Sequence, residues 1–348
     1  MKDKIPVAVL GATGSVGQRF VSLLADHPWF EPVVMAASER SVSKRYDQAV
    51  HWIQARPLPS RLAALTVQPC RPSRHVRLAF SALDAAVAGA IEEEFAQAGC
   101  MVVSNASSHR LDPTVPLLVP EVNPDHLELT SGQPFGAGAI ITNPNCSTIG
   151  LVMALAPLHA AFGLAAVQVT TLQAVSGAGL PGVPSMEMID NVIPYIGGEE
   201  EKMETETLKI LGALSGSTIE PASFPISAQC TRVGVIDGHT ECVSVKFERA
   251  ATLDEVRAAW NGFVSEPQQR QLPSAPAKPV HLLTGDDGPQ PRLHRDLERG
   301  MAVSVGRLRP CNVLDIKFVT LSHNTVRGAA GGAILAAELA VARGLLSA

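Results

Sequence analysis

The sequence predicts an α/β protein with an N-terminal Rossmann-type domain and a second domain of α+β type, and three observations carry that reading. The first forty residues run strand, Gly-rich turn, helix, strand. Strand and helix candidates then go on alternating, which predicts a parallel sheet. Beyond Cys146 the strands lengthen and short crossovers become fewer, which predicts a largely antiparallel second sheet.

In chain order, Ile5 to Leu10 reads as the first strand, Val16 to about His27 as the first helix and Pro32 to Ala37 as the second strand. Leu78 to Ala82 and Cys100 to Ser104 read as strands separated by the helical Ala85 to Gln97. Ile149 to Val167 is apolar enough to resemble a membrane span, but Pro157 and His159 interrupt it and Gly163 marks a helix end. It therefore reads as a buried helix followed by a strand. Longer strands follow at Ala166 to Ala174, Glu241 to Phe247 and Val313 to Leu321. Glu266 to Arg295 is rich in Pro and polar residues and reads as an extended excursion. The segment from Gly328 has helical spacing and is expected to pack back onto the first domain. The expected division is residues 1–142 plus 324–348 for the first domain and 143–323 for the second.

With 46% hydrophobic residues, a chain of 348 residues can bury a sizeable core without staples. The net charge of −5 and the scattered basic residues show neither a nucleic-acid stripe nor a polybasic membrane patch, so a small-molecule partner is expected. Cys70, Cys100, Cys146, Cys230, Cys242 and Cys311 lack CxxC spacing and the density of a disulfide framework, which fits a reducing cytosol and indicates no metal site. Met1 to Lys4 leave no room for a signal peptide before the first strand, so a cytoplasmic protein is expected.

The turn Gly11-Ala12-Thr13-Gly14-Ser15-Val16-Gly17 follows the first strand and opens the first helix. Its glycines permit a tight turn, and Gly11, Thr13, Gly14, Ser15 and Val16 would bring backbone amides to a pyrophosphate. At the end of the second strand an NAD-type fold offers Asp or Glu to the ribose. Here Ser38, Arg40, Ser41 and Lys44 stand ready for a 2′-phosphate, which points to NADP(H) despite Glu39.

Asn143-Pro144-Asn145-Cys146 delivers one cysteine out of a turn into an apolar helical run. Unpaired amides and the helix dipole at such an N-terminus favour thiolate, which makes Cys146 the candidate nucleophile. Three more segments look chemical: Gln173 to Gly179, which ends a strand in an amide-rich turn; Arg232 and His239, seven apart around the turn Asp237-Gly238; and Ser104 to Arg110, which closes an N-domain strand. Each alone has an ordinary structural explanation.

Together with Asn143 to Thr148, the Gln173 segment, Glu206 to Gly212 and Arg232 to Val243, in that order, the chain resembles the aspartate-β-semialdehyde dehydrogenases over essentially its whole length. Asp190 to Ile196, the excursion ending at Leu293 and Asn324 to Gly331 look most like the archaeal and fungal branch. The resemblance implies that Cys146 attacks an acyl carbon, that Gln173 orients the substrate, that His239 is the acid/base and that Asn145 helps polarise the carbonyl. It implies that Arg232 clamps the α-carboxylate, that Glu206 meets the α-amino group and that Arg110 and Lys209 take the phosphoryl group. Ser81, Ser176, Gly177 and Asn324 complete the expected cofactor contacts. Glu199 and Lys202 form a second Glu-x-x-Lys pair on the same helix; Glu206 and Lys209 are preferred because they precede Ile210-Leu211-Gly212 as in the family pattern. The family usually has Pro where this chain has Gly234.

The implied activity is NADPH-dependent reductive dephosphorylation of L-4-aspartyl phosphate to L-aspartate 4-semialdehyde, in a homodimer or a dimer of dimers whose second domain is catalytic and dimerising. Two rivals are a malonyl-CoA reductase with the same thioester-and-hydride chemistry and a silent nucleotide-binding regulator. The intact Cys146, Gln173, Arg232 and His239 set argues against the second.

Overall fold

A computed structural model describes residues 4–346 of the chain. Ile5–Leu10 (β1) is apolar on both faces because helices cover both sides of a parallel sheet. It pairs in parallel with Phe30–Ala36 (β2) and Leu78–Ser81 (β3), and Met101–Ser104 (β4) and Ala139–Thr142 (β5) continue in the order β2-β1-β3-β4-β5. The strand order reverses between β1 and β3, which opens a crevice at the carboxyl ends of these strands. Ser15–Leu24 (α1) follows β1, and Ala85–Gln97 (α2) follows β3. Gly11 has φ 74°, and a Cβ there would lie 2.5 Å from the carbonyl oxygen of Ala82; one on Gly17 would lie 2.1 Å from that of Gly11. Only glycines let the turn lie this close to the end of β3.

After β5 the chain enters Cys146–Phe162 (α3), a helix buried nearly all round, with Gly163 ending it at φ 67°. Its residues Leu151 and Leu155 share a core with Val169, Val243, Val245 and Phe318 of the second sheet. No helix among the described residues is long and apolar enough to cross a membrane.

The second sheet is built from Leu164–Gln173 (β6), then, after Glu199–Ile210 (α4) and a small hairpin Ala213–Ser215 (β7) and Thr218–Glu220 (β8), from Ile226–Arg232 (β9) and His239–Phe247 (β10). Leu253–Asn261 (α5) leads to Val280–Leu282 (β11), Val303–Pro310 (β12) and Ile316–Ser322 (β13). The order β11-β12-β13-β10-β6-β9 contains three antiparallel and two parallel pairings. The expected excursion contributes the short edge strand β11, too brief to read by periodicity among its prolines. The last strand starts at Ile316 rather than Val313, because Cys311 to Asp315 make the turn that joins it to β12. A π-helical turn, Val326–Ala330, precedes Gly331–Ala342 (α6), whose Ala333, Ile334, Leu335 and Ala337 pack into the core of the first sheet.

Candidate active site

The strand register brings the site together. Gln173 ends β6 directly opposite Arg232, which ends β9, while His239 opens β10 on the other side of β6. All three side chains are at least nine-tenths buried; His239 touches Cys146 at the N-terminus of α3, and Gln173 and Arg232 line one cavity with it. There Asn145 is the N-cap, its Oδ1 accepting from the backbone N–H of Ser147 at 2.9 Å and of Thr148 at 3.2 Å.

Cys146 Sγ lies 3.1 Å from His239 Nε2. On the far side of the ring, Nδ1 accepts the Ala174 N–H at 3.0 Å, so the neutral imidazole carries its proton on Nε2, facing the sulfur. Burial lowers His239 to about 3, reinforced by Arg232 and His323. Burial also pushes the Cys146 thiol up to about 12, and Glu199 adds to the rise; Arg110, Arg232 and the Ser147 N–H oppose it. Burial thus works against the thiolate that the helix N-terminus was expected to favour. The Ser147 N–H that favours the thiolate is shared with the Asn145 cap, and the Thr148 N–H is taken by it.

A cavity of about 420 Å³ is lined by Cys146, Asn145, Gln173, Arg232, Glu199 and Lys202. Arg232 spends Nη1 on the Ala174 carbonyl at 2.8 Å, which fixes its plane. Glu199 receives Asn145 Nδ2 at 2.8 Å, Gln173 Nε2 at 3.3 Å and Lys202 Nζ at 3.2 Å.

The pair Glu206 and Lys209 is not on this cavity. Glu206 accepts from Arg110 Nη1 at 2.9 Å and from the Asn145 N–H at 2.6 Å. Lys209 donates to the carbonyls of Arg110, Asp112 and Val115 at 2.8, 2.7 and 3.0 Å, although burial lowers it to about 8. With all three protons engaged inside the protein, Lys209 has none for a phosphate. Arg110 does line the cavity, with Nη1 on Glu206 and Nη2 on the Asn105 carbonyl.

A second cavity of about 770 Å³ shares Ser15, Val16 and Gly177 with the first and runs over Gly11, Thr13 and Gly14 to Ser38 and Arg40. Arg71, which sequence reasoning missed, lines it beside Arg40. Its loop is brought there by backbone pairing of Ala36 and Ala37 with Gln68, a contact across thirty residues that no local pattern announces. Ser41 turns away, its N–H bonded to the Ser38 carbonyl at 2.8 Å, and lines neither cavity. Ser81 is likewise off the groove: it is fully buried and donates to Glu92 of α2 at 2.6 Å. Ser176 and Asn324 line the cysteine cavity, and Asn324 is pinned by Nδ2 to Ser176 Oγ and by Oδ1 from the Gly238 N–H, both at 2.8 Å. Gly328 presses on the nucleophile, where a Cβ would come 2.7 Å from that of Cys146.

A dinucleotide groove that opens onto a half-buried cysteine beside a histidine defines a nucleotide-dependent oxidoreductase with thiol chemistry. Residues 6–130 match the family description "Semialdehyde dehydrogenase, NAD binding domain" and residues 155–327 match "Semialdehyde dehydrogenase, dimerisation domain". The chain is 49% identical over 352 residues to an aspartate-semialdehyde dehydrogenase of Schizosaccharomyces pombe, covering 98% of this chain and 99% of that one. It is 48% identical over 340 residues to that of Archaeoglobus fulgidus, covering 96% and 97%. The crystal structure of aspartate semialdehyde dehydrogenase with NADP from Candida albicans superposes with a TM-score of 0.92 at 44% identity, covering 98% of this chain and 100% of that one. The chain belongs to the aspartate-semialdehyde dehydrogenase family, among its archaeal and fungal relatives.

Proposed function

We propose that this enzyme reductively dephosphorylates L-4-aspartyl phosphate to L-aspartate 4-semialdehyde. The observation that carries the reading is Cys146 held 3.1 Å from His239 in a cavity that joins the dinucleotide groove and also presents Arg232, Glu199 and Lys202. Arg232 suits the α-carboxylate, Glu199 the α-ammonium and Lys202 the phosphoryl group, so Glu199 and Lys202 take the roles first assigned to Glu206 and Lys209. A malonyl thioester has no ammonium to meet Glu199, which disfavours that alternative.

The groove fits NADP(H): Gly11 and Gly17 let the turn pack tightly on its own backbone and on Ala82, leaving the groove lined by Gly11, Thr13 and Gly14, and Ser38, Arg40 and Arg71 would supply donors for a 2′-phosphate. When bound, the cofactor supplies a hydride to the acyl carbon. Cys146 Sγ forms the C–S bond as the acyl C–O bond to phosphate breaks, and the thiol proton leaves with the phosphate. His239 Nε2–H then faces the departing sulfur as the C–S bond breaks to release aldehyde, and stabilises it as thiolate until solvent returns a proton. Gln173 and Arg232 hold the acyl chain in line with Sγ.

We further propose a cytosolic homodimer assembled through the second domain; a sedimentation mass of twice the chain checks the assembly. For the activity, the test is NADP reduction with aspartate semialdehyde plus phosphate, run beside NADPH oxidation with malonyl-CoA. Turnover confined to malonyl-CoA overturns the reading.

Two substitutions probe the subsites. Lys202→Ala raises KM for phosphate about tenfold or more in the semialdehyde-oxidising direction, because a charged hydrogen bond is lost. A larger rise from Lys209→Ala would restore the original assignment. Ser38→Asp combined with Arg40→Ala weakens NADPH binding at least about tenfold more than NADH binding, measured by nucleotide fluorescence. Equal weakening would place the 2′-phosphate elsewhere.

A further inference from the structure

Glu206 and Lys209 are buried charged residues, 2% and 8% exposed, that no substrate-facing role uses. Glu206 Oε2 accepts the backbone N–H of Asn145, the residue immediately before the nucleophile, at 2.6 Å. Its other oxygen holds Arg110 Nη1 at 2.9 Å, and Arg110 Nη2 holds the Asn105 carbonyl at 2.7 Å. Asn105 Oδ1 in turn accepts from Asn143 Nδ2 at 3.0 Å. The turn from Asn143 to Cys146 is thus gripped at Asn145 directly by Glu206 and at Asn143 through Asn105, which Arg110 ties back to Glu206. One helical turn along α4, Lys209 fastens the loop that carries Arg110 through the carbonyls of Arg110, Asp112 and Val115. Three donors matched to three carbonyls of one loop make a clamp, and the paired Glu206 and Arg110 charges make a hinge that resists displacement.

From these contacts we infer that Glu206 and Lys209 form a brace under the nucleophile turn and act as positioning residues for Cys146. The inference rests on Cys146 as the reactive thiol but not on the identity of the acyl substrate. Sulfur stands 3.1 Å from His239 Nε2, and a shift of the turn by a fraction of an ångström moves Sγ off that line. The brace therefore acts on the chemical step and not on substrate affinity.

The experiment uses Glu206→Gln and Lys209→Gln in the full-length enzyme, with three readouts: kcat and KM in the semialdehyde-oxidising direction, the rate of Cys146 alkylation by iodoacetamide without substrate, and NADPH binding as a check of folding. The expected result is a fall in kcat of about tenfold or more, with an alkylation rate changed in the same variants and KM for phosphate and semialdehyde within about threefold of wild type. A raised KM for phosphate with unchanged kcat overturns the inference by making the pair ligands. Unchanged kcat and alkylation with only a lowered melting temperature overturn it by making the pair merely structural. Failure of both variants to bind NADPH also overturns it, because a brace confined to this turn leaves the first sheet and its groove intact. If alkylation responds as expected while no turnover of the semialdehyde is found in wild type, the brace stands and the substrate assignment falls.

Discussion

Cys146→Ser lowers kcat by about 10⁴-fold or more while leaving NADPH binding within about twofold of wild type. Serine changes volume little in a site where Gly328 already touches the nucleophile, so the groove and the turn keep their shape. What is lost is the sulfur: a hydroxyl is a far weaker nucleophile and a poorer leaving group. Steady-state rates beside fluorescence titration of NADPH check this, and near-wild-type turnover would end the thioester mechanism. The pH dependence of the thiol gives the same residue a second signature. With Cys146 raised to about 12, the thiolate fraction grows with pH throughout the accessible range. Alkylation of the substrate-free enzyme therefore accelerates about tenfold per pH unit between about pH 7 and 9. A plateau beginning below pH 8 would mean that the helix N-terminus has already formed the thiolate.

Much of this arrangement is legible in the sequence because it depends on local chemistry. A glycine turn between a strand and a helix locates the groove, and Asn145 before an apolar run locates the helix start that presents Cys146. Gln173, Arg232 and His239 are readable as strand ends, and the pairing of β6 with β9 and β10 then brings them together. The choice between Glu199 and Glu206 is of another kind. Seven residues make nearly two turns of helix, so both carboxylates lie on the same face within about 20° and differ by roughly 10 Å along the axis. Spacing alone cannot say which turn reaches the cavity. That is decided by where α4 begins, and it begins at Gly198, which adopts a left-handed conformation at φ 69° and sets Glu199 in the first turn beside Asn145. Ser81 was misplaced for a related reason: β3 is buried on both faces, so no alternation distinguishes a residue facing the groove from one facing Glu92.

Arg232→Lys lowers kcat/KM for the semialdehyde by about 10²-fold or more, corresponding to a loss on the order of 3 kcal/mol of transition-state stabilisation. The substitution preserves charge, so a purely electrostatic role predicts a small effect. The geometry predicts a large one. Arg232 is nearly buried at the end of β9, and its bond from Nη1 to the Ala174 carbonyl orients the guanidinium plane so that its remaining N–H groups can grip a carboxylate at two points. A lysine ammonium reaching the same place offers a single centre, and it cannot hold both the Ala174 carbonyl and the carboxylate in the same planar arrangement. The Ala174 contact also links this residue to the chemistry, because the N–H of Ala174 is the donor that sets the His239 tautomer. Arg232→Lys should therefore depress kcat as well as raise KM for the semialdehyde, whereas Lys202→Ala should act chiefly on phosphate saturation. A full kinetic matrix of both variants against both substrates separates the two, and a change of less than about threefold in kcat/KM for Arg232→Lys would show that its charge, and not its fork, is what the carboxylate reads.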